Sequence, residues 1–282
     1  MRRSLRWVSL AAVALASGAR VDAGVAAASR SPVHEVDLSP TDSGLWTVPV
    51  TLDGESRPRR FIVDTGSERT VLAADVAAAL DLPLRLGPIL LTPGGRVDAQ
   101  ETTLERLDIG SLAVTDLAAV VVDLQALGRG WPLDGILGMD VLGRHDLVID
   151  FEYGRLTLAD DLRASGVALA TRTIAGRRVV EARIDGQPRS LVLDTGAAAF
   201  VVFDGERAGG AAVRLGTAAT ATPGRVRRAE VAVGGVPLGG LPVVRVPPVA
   251  ARSGSDGLLP GSVFLRIFVD ADSDEVRVVP RR

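Results

Sequence analysis

The chain has 282 residues, 47% of them apolar, and its 32 basic residues, all arginine, stand against 34 acidic ones. That length suits about two domains, and near-cancelling charge without a basic block argues against nucleic acid as a partner. There is no cysteine, which excludes disulfides, thiolate metal sites and a cysteine nucleophile. The two histidines, His34 and His145, lack the companions that a zinc site or a serine triad needs, and no metal is expected.

The N-terminus reads as a secretory signal. A basic start, MRRSLR, precedes the uncharged run WVSLAAVALASGA (7–19), and small residues allow cleavage after Ala19 or Ala28. The uncharged run falls short of the roughly 20 residues that span a bilayer, so cleavage of residues 1–28 is expected, with an uncleaved anchor as the alternative. The expected location is the periplasm or the exterior, with no membrane association after cleavage. Residues 29–44 read as a polar lead-in.

From residue 45 onward, short Val/Leu/Ile-rich runs alternate with Gly, Pro and Asp-Gly, as in WTVPVTLDG (46–54), LAAVVVDL (117–124) and RVVEARIDG (178–186). This pattern predicts an all-β protein. Only TVLAADVAAALDL (70–82) has a helical period, which suggests a short crossover helix.

The strands recur as a repeat. FIVDTGS (61–67) returns as LVLDTGA (191–197), and TPG at 92–94 returns at 222–224. LDIGSLAVTDLAAVVV (107–122) is matched by VAVGGVPLGGLPVVRV (231–246), and DGILGMDVL (134–142) by DGLLPGSVF (256–264). The offset drifts from 130 (194 − 64) to 122 (256 − 134), as loop deletions would produce. A single Asp-Thr-Gly is an everyday turn, but two with shared downstream landmarks indicate a duplicated β-domain. The expected lobes are 45–160 and 161–282, with a linker near 159–172.

The repeated aspartates carry the chemistry. Each ends an apolar strand, and the glycine two residues on lets another chain approach closely. If the turns face each other, Asp64 and Asp194 share one proton, because neighbouring carboxylates cannot both ionise comfortably. The ionised member can then act as general base on a water, and the protonated one can hydrogen-bond a substrate carbonyl.

With these motifs the sequence resembles the retropepsin-like aspartic proteases, especially exported bacterial members with two lobes in one chain. The resemblance covers nearly all of residues 45–280. It implies two homologous closed β-barrel lobes, related by a pseudo-two-fold axis, with Asp64 and Asp194 as the catalytic dyad of an aspartic endopeptidase. It implies that Thr65 and Thr195 tie the loops together and that Gly66 and Gly196 present N–H groups to the carboxylates. Ile136, Leu137 and Gly138 pack behind the first turn, and Leu258 and Leu259 behind the second, where Pro260 is extra. Pro93-Gly94 and Pro223-Gly224 become flap tips, as Pro-Gly hairpin turns.

The loops differ at Ser67 and Ala197. The Ser67 hydroxyl can hydrogen-bond the Asp64 carboxylate, which predicts that Asp64 carries the charge more often. Asp134 and Asp256 read as turn residues, and Asp150 and Asp270 as surface strand ends. The expected partner is an extended peptide or protein, with no cofactor and no required dimer. Two alternatives stay open: an inactive peptide-binding or scaffold protein on the same fold, and a glycosidase with paired carboxylates. Aromatic content of 4% speaks against the latter.

Overall fold

The computed structural model describes residues 32–92, 95–124, 133–205, 210–216, 221–248 and 254–281. The signal segment lies outside them, as do Pro93 and Gly94. Among the described residues no helix is long and apolar enough to cross a membrane.

The first half contains β1 (His34–Asp37), β2 (Ser39–Pro40), β3 (Trp46–Leu52), β4 (Arg59–Val63), β5 (Val71–Ala73), β6 (Arg85–Thr92), β7 (Gly95–Ile109), β8 (Leu112–Val122), β9 (Gly135–Leu137), β10 (Asp146–Asp150) and β11 (Arg155–Ala159). Two short helices interrupt it, α1 (Ala74–Ala79) and α2 (Met139–Leu142). The helical period over 70–82 is therefore split. The β-branched start of that stretch, Thr70-Val71, feeds a buried strand, and only the alanine-rich part coils. The lead-in is not loose polar chain either, since β1 alternates buried His34 and Val36 with exposed Glu35 and Asp37.

The second half contains β12 (Val167–Leu169), β13 (Thr171–Ile174), β14 (Arg177–Ile184), β15 (Gln187–Asp194), β16 (Phe200–Val202), β17 (Ala211–Gly216), β18 (Ala221–Val233), β19 (Val236–Arg245), β20 (Gly257–Pro260), β21 (Phe264–Val269) and β22 (Val276–Pro280). The expected linker is itself partly strand, because Val167–Leu169 pairs with β22.

Each half closes a six-stranded barrel. In the first, the order β3-β4-β9-β5-β8-β7 returns to its start through the β3–β7 pairing, with β2 and β6 outside the ring. In the second, β14-β15-β20-β16-β19-β18 closes through β14–β18, with β13 and β17 outside. The all-β, two-barrel expectation therefore holds. A further six-stranded sheet, β1-β11-β10-β21-β22-β12, draws three strands from each half. At its centre, antiparallel β10 and β21 set Asp150 opposite Arg266.

That register corrects the surface reading of Asp150. Its carboxylate is buried, accepts the Glu152 and Tyr153 N–H groups at 3.0 and 2.9 Å, and accepts the Arg266 Nε–H at 2.7 Å. A buried charge persists only when paired in this way. Asp270 accepts the Asp272 and Ser273 N–H groups, at 3.0 and 2.7 Å. Buried Arg178 holds the same turn by donating to the Asp270 and Ser273 carbonyls.

The repeated Asp-Gly pairs are built-in struts. Asp134 accepts the Arg60 N–H at 2.7 Å, and its counterpart Asp256 accepts the Ser190 N–H at 2.9 Å. The following glycines have no room for a side chain: a Cβ on Gly135 would lie 2.6 Å from the Val71 carbonyl oxygen, and one on Gly257 would run into that of Val201. Both struts hold parallel pairs, β9 on β4 and β20 on β15, that end at the aspartate turns.

Candidate active site

The two Asp-Thr-Gly turns meet. Asp64 follows β4 and Asp194 closes β15, both strands being apolar and fully buried at their ends (Phe61-Ile62-Val63 and Leu191-Val192-Leu193). Burial of that kind stabilises by about 1.5–3 kcal/mol per large side chain, so each turn stands on a rigid base.

The threonines lock the turns crosswise. Thr65 Oγ1 donates to the Leu193 carbonyl at 2.7 Å and accepts the Thr195 N–H at 3.2 Å. Thr195 Oγ1 donates to the Val63 carbonyl at 2.6 Å and accepts the Thr65 N–H at 3.1 Å. All four bonds are buried and reciprocal, as a two-fold arrangement requires. Thr195→Val removes a donor to one buried carbonyl and an acceptor from one buried amide. It is expected to cost about 2–4 kcal/mol, near 1–2 for each orphaned group. Denaturant unfolding of the variant checks this.

The glycines allow the close approach. A Cβ on Gly66 would lie 2.8 Å from Asp194 Oδ1, and one on Gly196 would lie 2.7 Å from Asp64 Oδ1. The Gly66 N–H donates to Asp64 Oδ1 at 2.8 Å, and the Gly196 N–H also faces the Asp64 carboxyl. The Asp64 and Asp194 carboxyls lie close enough to shift each other's protonation.

The pair is electrostatically unequal. Burial raises the Asp64 carboxyl above its ordinary value of 3.8, against the pull of the Gly66 N–H, the Asp194 side chain and the N–H groups of Ser67 and Gly196. Burial, then the Asp64 charge, lift Asp194 well above 3.8. Asp194 is the more enclosed of the two, 8% exposed where Asp64 is half-buried. Enclosure disfavours the charged form, which favours the proton on Asp194.

The Ser67 hydroxyl does not play the part the sequence suggested. It donates to the Arg69 carbonyl at 2.8 Å, and it is the Ser67 backbone N–H that reaches the Asp64 carboxyl. In the other loop the N–H groups of Gly196 and Ala197 face Asp194.

These shifts make stability pH-dependent. The native state holds protons that the unfolded chain releases near 3.8, so this contribution is lost as pH rises above that value through the raised native values. Asp194→Asn removes the penalty. At neutral pH it should melt above the wild type by about 2–4 °C per kcal/mol gained, with the gap closing towards pH 4. Calorimetry across that range measures it.

Behind the turns, Ile136 and Leu137 pair with Ile62 and Val63, and the Leu137 carbonyl accepts the Asp64 N–H at 3.1 Å. Leu258, Leu259 and Pro260 pair with Val192, Leu193 and Asp194. The support differs between lobes as Pro260 suggested. The Gly138 N–H donates to Thr70 Oγ1 at 3.3 Å, and Thr70 is held in turn by Asp140, at 2.9 Å from its N–H and 2.8 Å from its hydroxyl. Pro260 has no N–H, and Phe200 stands where Thr70 does. Asp140 and Thr70 were not legible as a brace, because the pairing joins residues 70 apart.

One flap reading is corrected. Pro223 and Gly224 lie inside β18, paired with Arg214 and Val213, and the β17–β18 pairing runs on past them to Gly216 opposite Ala221. In the first lobe Thr92 pairs with Gly95 across the two residues outside the description, Pro93 and Gly94.

Two closed β-barrels thus bring two carboxyl-bearing turns together in one chain. Residues 48–141 match the family model described as Aspartyl protease. A crystal structure of a retropepsin-like aspartic protease from Rickettsia conorii is 23% identical, with 46% of this chain and 93% of that chain covered and a TM-score of 0.35. Comparison with curated proteins finds no match.

Proposed function

We propose that the protein is an aspartic endopeptidase that hydrolyses peptide bonds with a water activated between Asp64 and Asp194. The observation that carries this reading is the meeting of the two Asp-Thr-Gly turns, locked crosswise by Thr65 and Thr195 with each glycine against the other carboxyl. Asp64, the less raised of the two carboxyls, takes the water's proton as general base. Asp194 donates its proton to the carbonyl oxygen of the bound peptide as the water adds. As the tetrahedral adduct collapses, Asp64 gives the water's proton to the departing amine and Asp194 takes a proton back from the adduct's hydroxyl, so that the C–N bond breaks with no covalent enzyme intermediate. Both carboxyls stand in one chain, so a second copy is not needed for the chemistry. We also propose that residues 1–28 direct export and are removed.

A diverse peptide library, incubated with the wild type and with Asp64→Asn and Asp194→Asn, tests the reading. Cleavage by the wild type that both variants and a statine-type inhibitor abolish is the expected result. Folded wild type that cleaves nothing across about pH 3–7 overturns it.

A further inference from the structure

The two catalytic loops match in backbone and differ in chemistry. Strand registers show which positions correspond. Val71 pairs with Ile136 and Val120, and Val120 faces Glu101. Across the repeat, Val201 pairs with Leu258 and Val244, and Val244 faces Val226. Glu101 and Val226 are therefore equivalent, as are their partners Arg85 and Ala211 on the outer hairpin strands. Five residues past each aspartate stand Arg69 and Ala199.

In the first lobe this position is charged. Arg69 Nη2 donates to Glu101 and, at 3.1 Å, to the Ala118 carbonyl. Arg85 Nε donates to the other Glu101 oxygen at 3.2 Å. Two arginines against one glutamate leave a net charge of +1 (2 − 1). The Arg69 side chain is 35% exposed, and its Nε and Nη1 have no acceptor among the described residues. The guanidinium is thus pinned through Nη2 between the catalytic loop and the hairpin base, with Nε and Nη1 left to donate. The free Nε–H and Nη1–H groups can each give a carboxylate one charge-assisted hydrogen bond.

In the second lobe the same position is apolar. Ala199, Val226, Leu258, Val213 and Leu215 pack on Val201 and Val244 in a small cluster separate from the main core. The first five are only partly buried, so this wall can still cover apolar area.

We propose that the cleft has two unlike walls, so that the preferred peptide carries an acidic side chain towards Arg69 and an apolar one towards Ala199 and Leu258, on opposite sides of the scissile bond. This rests on the endopeptidase reading. It follows because the two loops flank the dyad from opposite lobes, and an extended peptide crossing the dyad meets one loop on each side. Charge complementarity settles the acid: the first wall carries +1, and the described residues of the second are apolar.

The test compares cleavage and binding of peptides that differ only at the acidic position, carrying Glu, Ala or Lys there. The wild type should favour Glu over Lys by about tenfold or more in kcat/KM, the value of one charge-assisted hydrogen bond. Arg69→Glu should invert that order, and Arg69→Gln should flatten it, a second handle if the charge reversal unfolds the loop. Val226→Glu should erode the apolar preference on the other side. Efficient cleavage with no Glu preference, or a preference that Arg69→Gln leaves intact, overturns the two-walled cleft while leaving the protease standing. Wild type that binds the Glu peptide best but cleaves none of them supports the walls and removes the protease. Neither binding nor cleavage of any peptide removes both.

Discussion

Asp64→Asn is expected to lower kcat/KM by about 10³–10⁴-fold while the fold survives, the usual scale for losing a positioned general base. The substitution keeps the shape of the side chain, and an Asn side-chain oxygen can still accept the Gly66 N–H that now meets Asp64 Oδ1 at 2.8 Å. What it removes is the negative charge that takes the water's proton. Asp194→Asn should lose activity on a similar scale by a different route, since the amide cannot give its proton to a developing oxyanion and then take one back. The two variants part company in stability. Asp194 is the carboxyl lifted further by burial and by its neighbour's charge, so neutralising it relieves more. A melting curve beside each rate separates lost chemistry from lost structure.

Gly196→Ala should be nearly as damaging, through geometry alone. Its Cβ would fall on the Asp64 carboxyl, within 2.7 Å of Oδ1 and closer to the carboxyl carbon. Nothing nearby yields cheaply, because Asp64 is hydrogen-bonded to backbone and Thr195, the preceding residue, is locked to Val63 and Thr65. Overpacking of this kind costs about 1–3 kcal/mol, and the displaced carboxyl loses its alignment with Asp194. A fall in kcat of at least about 10²-fold is expected, as for a misplacement near 1 Å. Gly66→Ala is the mirror case, meeting Asp194. Steady-state kinetics of the two should give losses of the same order; a near-silent variant at either position would show that the turns do not need to touch.

Much of this was legible from residues 61–67 and 191–197. A strand ending in Asp-Thr-Gly is a local pattern, and its repetition with a common downstream order announced two related barrels. The Asp-Gly copies at 134 and 256 were legible as landmarks but not as struts, since their carboxylates reach backbone some 70 residues away. Asp150 read as a surface residue because nothing local shows that β10 pairs with β21, which supplies Arg266. The shared six-stranded sheet was hidden for the same reason: its strands come from both halves of the chain, and period-2 alternation says which face is buried but not which strand lies alongside. The second Pro-Gly misled because hairpin tips were placed by motif, whereas the β17–β18 register runs on past it to Gly216 opposite Ala221. The Ser67 hydroxyl misled as well, since it turns to the Arg69 carbonyl and leaves the enclosure of Asp194 to make the dyad unequal, a difference that only packing reveals.

The central claim is that Asp64 and Asp194 act as one pair sharing a proton. The most direct measurement is kcat/KM against pH for the wild type on its best peptide, repeated with Asp194→Asn. A bell is predicted, titrating as a property of the pair, with its acid limb above 3.8 and its alkaline limb well above that, because both carboxyls are raised and Asp194 the more. The alkaline limb should vanish from the residual activity of Asp194→Asn. A wild-type profile with a single limb, or a bell that Asp194→Asn leaves unchanged, contradicts the shared proton.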